Sequence, residues 1–129
     1  MWIDQRAAWP LSYCVREHPE LVQPWFKQLL EMLGKPDTHN AVRRNITRLL
    51  QDVTIPKRYQ GQVMDACFRF IEQHDTPVAI KAFSLTVLEN LSKDYPEILP
   101  EIKLLIEERW EHETAAFRSR ARKILKKLK

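Results

Sequence analysis

Residues 41–53 read AVRRNITRLLQDV, and this segment is the clearest copy of a pattern that recurs along the chain. The pattern returns as AIKAFSLTVLENL at 79–91 and as AFRSRARKILKKL at 116–128, and more faintly from residue 7 to residue 19. The four copies begin at residues 7, 41, 79 and 116, so the steps between them are 34, 38 and 37 residues. A drifting period of this length is typical of stacked helical pairs, in which each unit buries its apolar face only against its neighbours.

Apolar residues recur at positions 2, 6, 9 and 13 of these copies, as in Val42, Ile46, Leu49 and Val53. Steps of 4, 3 and 4 follow one face of a helix. We call these the A helices. The segments between them, which we call the B helices, have the same spacing. Their apolar residues are Val22, Phe26, Leu29, Leu30 and Leu33; then Tyr59, Val63, Cys67, Phe70 and Ile71; then Ile98, Ile102, Leu105, Ile106 and Trp110. We also expect Trp25 and Trp110 to belong to the core.

The predicted helix boundaries repeat as well. Each B helix has a proline near its start, where no hydrogen bond is lost; these are Pro19, Pro56 and Pro96. Thr38, Thr76 and Thr114 each precede an A helix and are candidate N-caps, with Thr76 before Pro77 the strongest. The sequence therefore predicts seven helices in a single all-α domain, residues 1–129. Its repeats cover approximately 4–35, 38–74 and 76–112, and a capping helix covers 114–129.

Position 3 of the A helices is a cation in three copies, namely Arg43, Lys81 and Arg118, and aliphatic pairs such as Leu49-Leu50 follow. This pattern resembles that of HEAT-type repeats, and armadillo-like and alkylation-repair-like helical repeats share the same residue pattern. The first copy departs from it, with Trp9 at the cation position. The resemblance implies a right-handed α-α superhelix of about three and a half helix pairs. It also implies a concave face of B helices that holds partners, and no catalytic residues.

Composition excludes several classes of protein. The chain has 44% hydrophobic and 29% charged residues, and no apolar run near the roughly 18 needed to cross a bilayer. Asp4 stands where a secretory signal needs basic residues. We therefore expect a cytoplasmic protein with no membrane association, in which Cys14 and Cys67 are free buried thiols. We expect no cofactor or metal, because histidines at successive turns lie about 10 Å apart, too far to share an ion.

Charge suggests an alternative function. Residues 114–129 carry seven cations and no acid, whereas the other 113 residues carry 14 basic and 17 acidic side chains. This helix either touches phosphates, an anionic membrane surface or an acidic partner, or it is a solvated capping face whose cations complement the negative end of a helix. Position-3 cations either follow a phosphate backbone or lie along the neighbouring helix with their charge in water. The third B helix is acidic, which argues against nucleic-acid binding, because a surface that follows a phosphate backbone should be basic. The candidate anion-binding residues are Arg43, Lys81, Arg118, Arg122 and Lys126.

The main hypothesis is a non-catalytic scaffold that binds a protein partner, with a nucleic-acid-associated repeat protein as the alternative. Helical phase predicts which B-helix side chains line the concave surface. They are Gln23, Lys27, Gln28, Gln62, Asp65, Arg69, Lys103 and Glu107. No pair of ionisable groups converges as acid–base catalysis requires, so we expect no enzymatic activity.

Overall fold

The protein is all-α over residues 24–35 and 37–127, which are the residues that the computed structural model describes. Within them it contains six α-helices: α1 (Phe26–Gly34), α2 (Asn40–Leu50), α3 (Lys57–Glu72), α4 (Val78–Leu91), α5 (Leu99–Arg109) and α6 (Ala115–Lys127). Short 3-10 helices, Pro96–Ile98 and Trp110–His112, precede and follow α5. The predicted fold class is confirmed. The first A helix, Cys14 and Trp9 lie outside the described residues.

The A and B helices alternate as the periodicity predicted. Helices α1, α3 and α5 are B helices, and α2, α4 and α6 are A helices. The chain divides into two compact units, residues 1–66 and 67–129, with the boundary inside α3 between Ala66 and Cys67. Because each unit has its own packing, each is described separately below.

In the first unit, α1 packs against α2 and the apolar stripes of both helices are buried. The ring of Phe26 stacks on that of Tyr59, with centroids 5.8 Å apart and planes inclined by 10°. The buried residues of these two helices include Leu29, Leu33 and Ile46. Removal of such side chains from water is the main term that holds a helical pair together.

In the second unit, α4 packs against α6. The repeat positions 2, 6, 9 and 13 of α4 are all buried, and they hold Ile80, Ser84, Val87 and Leu91. In α6 the corresponding Phe117, Ala121 and Ile124 are buried as well. The small residues Ser84 and Ala121 share position 6. The apolar column inferred from sequence is therefore the packed face of the A helices.

Two aromatic predictions need correction. Trp25 is 42% exposed, and Trp110 is only half-buried. Trp25 precedes the first residue of α1, where the chain leaves the helical stripe, and Trp110 follows the last residue of α5. A stripe predicts burial only inside a helix, because the spacing of 3.6 residues per turn ends where the helix does.

Of the three predicted threonine caps, the structure bears out one. Thr114 accepts the backbone N–H of Phe117 at 3.4 Å. Helix α2 is capped instead by His39, whose Nδ1 accepts the N–H of Ala41 at 3.1 Å, while Thr38 donates to the carbonyl of Met32 at 2.6 Å. At α4 the N-cap position is Pro77, without a side-chain hydrogen bond, so the prediction for Thr76 was wrong.

Candidate functional site

The residues predicted to bind a partner are mostly exposed. Gln23 lies outside the described residues, and Gln28 is half-buried. The other six are exposed: Lys27, Gln62, Asp65, Arg69, Lys103 and Glu107. On α5, the Nζ of Lys103 lies 3.9 Å from Oε1 of Glu107, an exposed ion pair of small energetic value. These side chains lie in solvent, and their contact with a partner stays a prediction.

Two of the position-3 cations donate hydrogen bonds to the C-terminal end of the preceding B helix. Arg43 donates from Nη2 to the carbonyl of Lys35, and Arg118 donates from Nε to the carbonyl of Trp110 at 2.9 Å. Lys35 and Trp110 are the C-cap residues of α1 and α5. Carbonyl groups at a helix C-terminus lack partners within the helix, and a cation there also complements the helix dipole. The two arginines therefore have the same structural role in different repeats.

The third position-3 cation lies inside the protein. The side chain of Lys81 is 2% exposed, and its Nζ lies 2.7 Å from Oε2 of Glu113, which is 5% exposed. Arg109 donates to the same carboxylate oxygen from Nε at 3.0 Å. Arg109 also reaches Nδ1 of His74 at 3.5 Å. We call Lys81, Arg109 and Glu113 the buried ion cluster. Its carboxylate holds two cations, so the charge of Lys81 is balanced within the fold.

Helix α6 carries an exposed basic patch. Arg122, Lys123 and Lys126 are exposed. The guanidinium carbons of Arg118 and Arg122 lie 5.7 and 5.5 Å from the ring centroid of Trp110. Cation–π contacts of this kind hold arginine side chains against the protein while leaving their polar edge in water. This face is the part of the candidate anion-binding set that remains accessible.

A groove with an acidic rim lies in the second unit, between the end of α3 and one face of α5. Its cavity volume is about 240 Å³. The lining residues are Phe68, Glu72, Glu101, Leu104, Leu105 and Glu108, which we call the acidic groove. On α5 the lining residues are spaced by 3, 1 and 3 positions, and on α3 by 4, so each set lies on one face of its helix.

The sequence analysis did not identify the acidic groove, and the side chains that it selected on α5 are one residue away from those that line the groove. On α5 the sequence selected Lys103 and Glu107, whereas the groove is lined by the neighbouring Leu104 and Glu108. One residue corresponds to about 100° of rotation around a helix. The signal that was present is Leu104, a leucine that lies off the apolar stripe of its helix and is 57% exposed.

Comparison with known protein families agrees with the alternating helical pairs of the fold. The family model described as the HEAT repeat domain matches residues 2–128. The chain belongs to the HEAT repeat family. Comparisons with curated proteins and with solved structures gave no match. The resemblance inferred from the position-3 cations and the aliphatic pairs is thereby confirmed, and HEAT repeats generally mediate protein interactions.

The one cysteine of this HEAT repeat chain that the structure describes is not equipped for nucleophilic chemistry. Cys67 is fully buried, and desolvation raises the pKa of its thiol from 9.0 to about 12. A nucleophilic cysteine needs a thiolate at neutral pH. The side chain therefore serves as a small apolar residue of the core.

Among the residues that the structure describes, no group of three or more His, Cys, Asp or Glu side chains is placed to hold a metal ion. Of the histidines at the turns between repeats, His39 caps α2 and His74 lies beside Arg109. Across 24–35 and 37–127, the helices also fall short of the length and apolar character required to span a bilayer.

Proposed function

We propose that this HEAT repeat protein is a non-catalytic cytoplasmic scaffold that binds a protein partner through the exposed side chains of its B helices. The observation that carries the proposal is a difference between the two sets of helices: cations of the A helices contact the protein itself, whereas the predicted side chains of the B helices are exposed. Two cations of the A helices, Arg118 and Lys81, are engaged by a carbonyl and a carboxylate of the protein itself. The predicted B-helix side chains, such as Arg69 and Glu107, extend into solvent.

Affinity purification followed by mass spectrometry tests the proposal. One variant carries Lys27→Ala, Gln62→Ala and Asp65→Ala in the first unit, and a second carries Arg69→Ala, Lys103→Ala and Glu107→Ala in the second unit. We expect unchanged melting, because exposed substitutions stay within about 0.5 kcal/mol. We also expect loss of the proteins recovered with the parent chain. Recovery of the same proteins by both variants would show that the B-helix residues do not carry the interaction.

A second candidate, nucleic-acid binding, is favoured only by the exposed patch of Arg122, Lys123 and Lys126 on α6. Phosphate contacts make binding fall steeply with salt, with a log–log slope of about −0.9 for each phosphate neutralised on duplex DNA. A gel-shift titration from low to physiological salt therefore measures it. We expect no retardation at physiological salt. Retention of a shifted band there, and its loss in Arg122→Ala/Lys126→Ala, would favour the second candidate.

A further inference from the structure

The lining of the acidic groove combines apolar side chains with carboxylates, and we call the carboxylates its rim. The apolar lining residues are Phe68, Leu104 and Leu105. Glu72 and Glu108 belong to the rim, and every charged residue that lines the groove is a glutamate. The groove lies within residues 67–127, so both of its walls belong to one compact unit.

Leu104 is not required by the core of its helix. The apolar stripe of α5, which includes Ile102 and Ile106, is buried without it, whereas Leu104 is 57% exposed. Leaving a leucine in water gives up the favourable free energy of burying it. Beside Phe68 and Leu105 in the groove, this exposed leucine offers apolar surface that a partner's side chain can cover.

The rim glutamates are not neutralised by the protein. Across residues 24–35 and 37–127, the side chains of Glu72, Glu101 and Glu108 take part in no hydrogen bond or ion pair. The nearby ion pair on α5 joins Lys103 to Glu107, which lies outside the groove. Like charges around one cavity repel each other, and cations brought by a ligand would remove that repulsion.

We propose that the acidic groove docks a basic amphipathic segment of a partner protein. In this segment one large apolar side chain sits on Leu104, and lysine or arginine residues on either side of it meet the three rim glutamates. The cavity of about 240 Å³ is smaller than the roughly 300–1,000 Å³ typical of drug-sized ligands, so it suits a single large side chain. The inference rests on the proposed scaffold function and names the partner's chemistry.

Helix α6 of a second copy does not meet this requirement. This basic helix exposes Arg122, Lys123 and Lys126, but Phe117 and Ile124 are buried. Among the described residues, α6 exposes no large apolar side chain that could enter the groove. Nucleic acid does not suit the groove either, because the three carboxylates of the rim repel phosphate groups.

Selection from a random peptide library displayed on phage tests the proposal with the full chain as the target. The selected peptides are then synthesised with a fluorophore, and their affinities are measured by fluorescence anisotropy. We expect enriched peptides to carry lysine or arginine on both sides of a leucine, phenylalanine or similar residue. Replacement of that apolar residue by serine should weaken binding about tenfold or more, the effect of losing one buried side chain.

Two charge-matched variants locate the site. Glu101→Gln/Glu108→Gln removes two rim carboxylates, whereas Glu97→Gln/Glu111→Gln removes two exposed carboxylates outside the groove. We expect the first pair to weaken peptide binding by about tenfold and the second by less than about twofold at the same ionic strength. Leu104→Ser should weaken binding to a similar extent as the first pair. Melting of each variant, followed by circular dichroism, shows whether it is folded.

The peptide experiments would overturn the inference if acidic peptides were enriched, if binding were insensitive to Glu101→Gln/Glu108→Gln and Leu104→Ser, or if no peptide bound with a Kd tighter than about 1 mM. Self-association that depends on Leu104, seen by light scattering, would overturn it in favour of a second copy. If the B-helix variants lose their partners while the groove variants keep them, the scaffold function stands and the groove proposal fails.

Discussion

At the scale of single residues, Lys81 shows how a repeated position can change its role. Arg43 and Arg118 occupy the same repeat position and donate to the C-cap carbonyl eight residues earlier. Lys81 instead reaches forward by 32 residues to Glu113. A lysine amino group has no fork of donors that reaches back in the way a guanidinium does, and a buried ammonium needs a carboxylate close by. Glu113 supplies that carboxylate in the next turn between repeats.

We expect Glu113→Gln to destabilise the second unit by about 3–5 kcal/mol, the usual cost of leaving one partner of a buried ion pair uncompensated. Both Lys81 and Arg109 would lose their carboxylate. Urea denaturation gives the free energy of unfolding. The control is the double variant Lys81→Met/Glu113→Gln, which removes the buried ammonium and should recover much of the loss. An unchanged free energy of unfolding in Glu113→Gln would show that the carboxylate does not stabilise the buried ion cluster.

Cys67 allows a prediction about pH. Burial holds its pKa at about 12 in the folded protein against 9.0 for an ordinary thiol. Because the folded state keeps the proton to higher pH, this stabilisation is complete below pH 9 and is lost as pH rises from about 9 towards 12. We expect the free energy of unfolding to fall across that range, and to fall less in Cys67→Ala when each protein is compared with its own value at pH 8.

At the scale of helices, the arginines of α2 and α6 join each A helix to the end of the B helix before it. The sequence contains the cation at position 3, but a carbonyl partner eight residues earlier becomes adjacent only when the two helices are antiparallel. A hydrogen bond from a charged donor to such a carbonyl contributes about 1.5–3 kcal/mol. The contact therefore fixes the turn between two helices as well as the helix end.

We expect Arg118→Ala to lower the free energy of unfolding by about 1–2 kcal/mol, because the carbonyl of Trp110 loses its donor and the ring loses one cation above it. Lys123→Ala, an exposed change of one cation on the same helix, is the matched control and should stay within about 0.5 kcal/mol. Thermal and urea unfolding measure both. Equal effects of the two substitutions would contradict the capping role.

At the scale of the whole molecule, the charge of the chain is unevenly divided among its helices. The net charge is +4. The basic residues concentrate on α6, whereas α5 exposes Glu101, Glu107 and Glu108. Two surfaces of opposite sign therefore lie within the second unit, and each would attract ligands of the opposite charge.

Burial across successive helices predicts that one charge in the core prevents folding. Leu88 of α4 is 0% exposed, and Leu88→Asp would place an unpaired carboxylate there at a cost of several kcal/mol. Because repeat units depend on their neighbours, we expect loss of the helical circular dichroism signal at 25 °C. Lys126→Ala, an exposed change, should melt as the parent does. A folded Leu88→Asp protein would mean that a different face of α4 is buried.

The all-α repeat class, the alternation of A and B helices and the buried stripes could be predicted from the sequence alone. These follow from the spacing of apolar residues along the chain, which a helix converts directly into a face. Only the tertiary structure decided that Lys81 is buried beside Glu113 and that Leu104 lies in a groove with Phe68. Such outcomes depend on how each helix is rotated against its neighbour. Packing of the whole fold sets that rotation, and an error of one residue moves a side chain by about 100°.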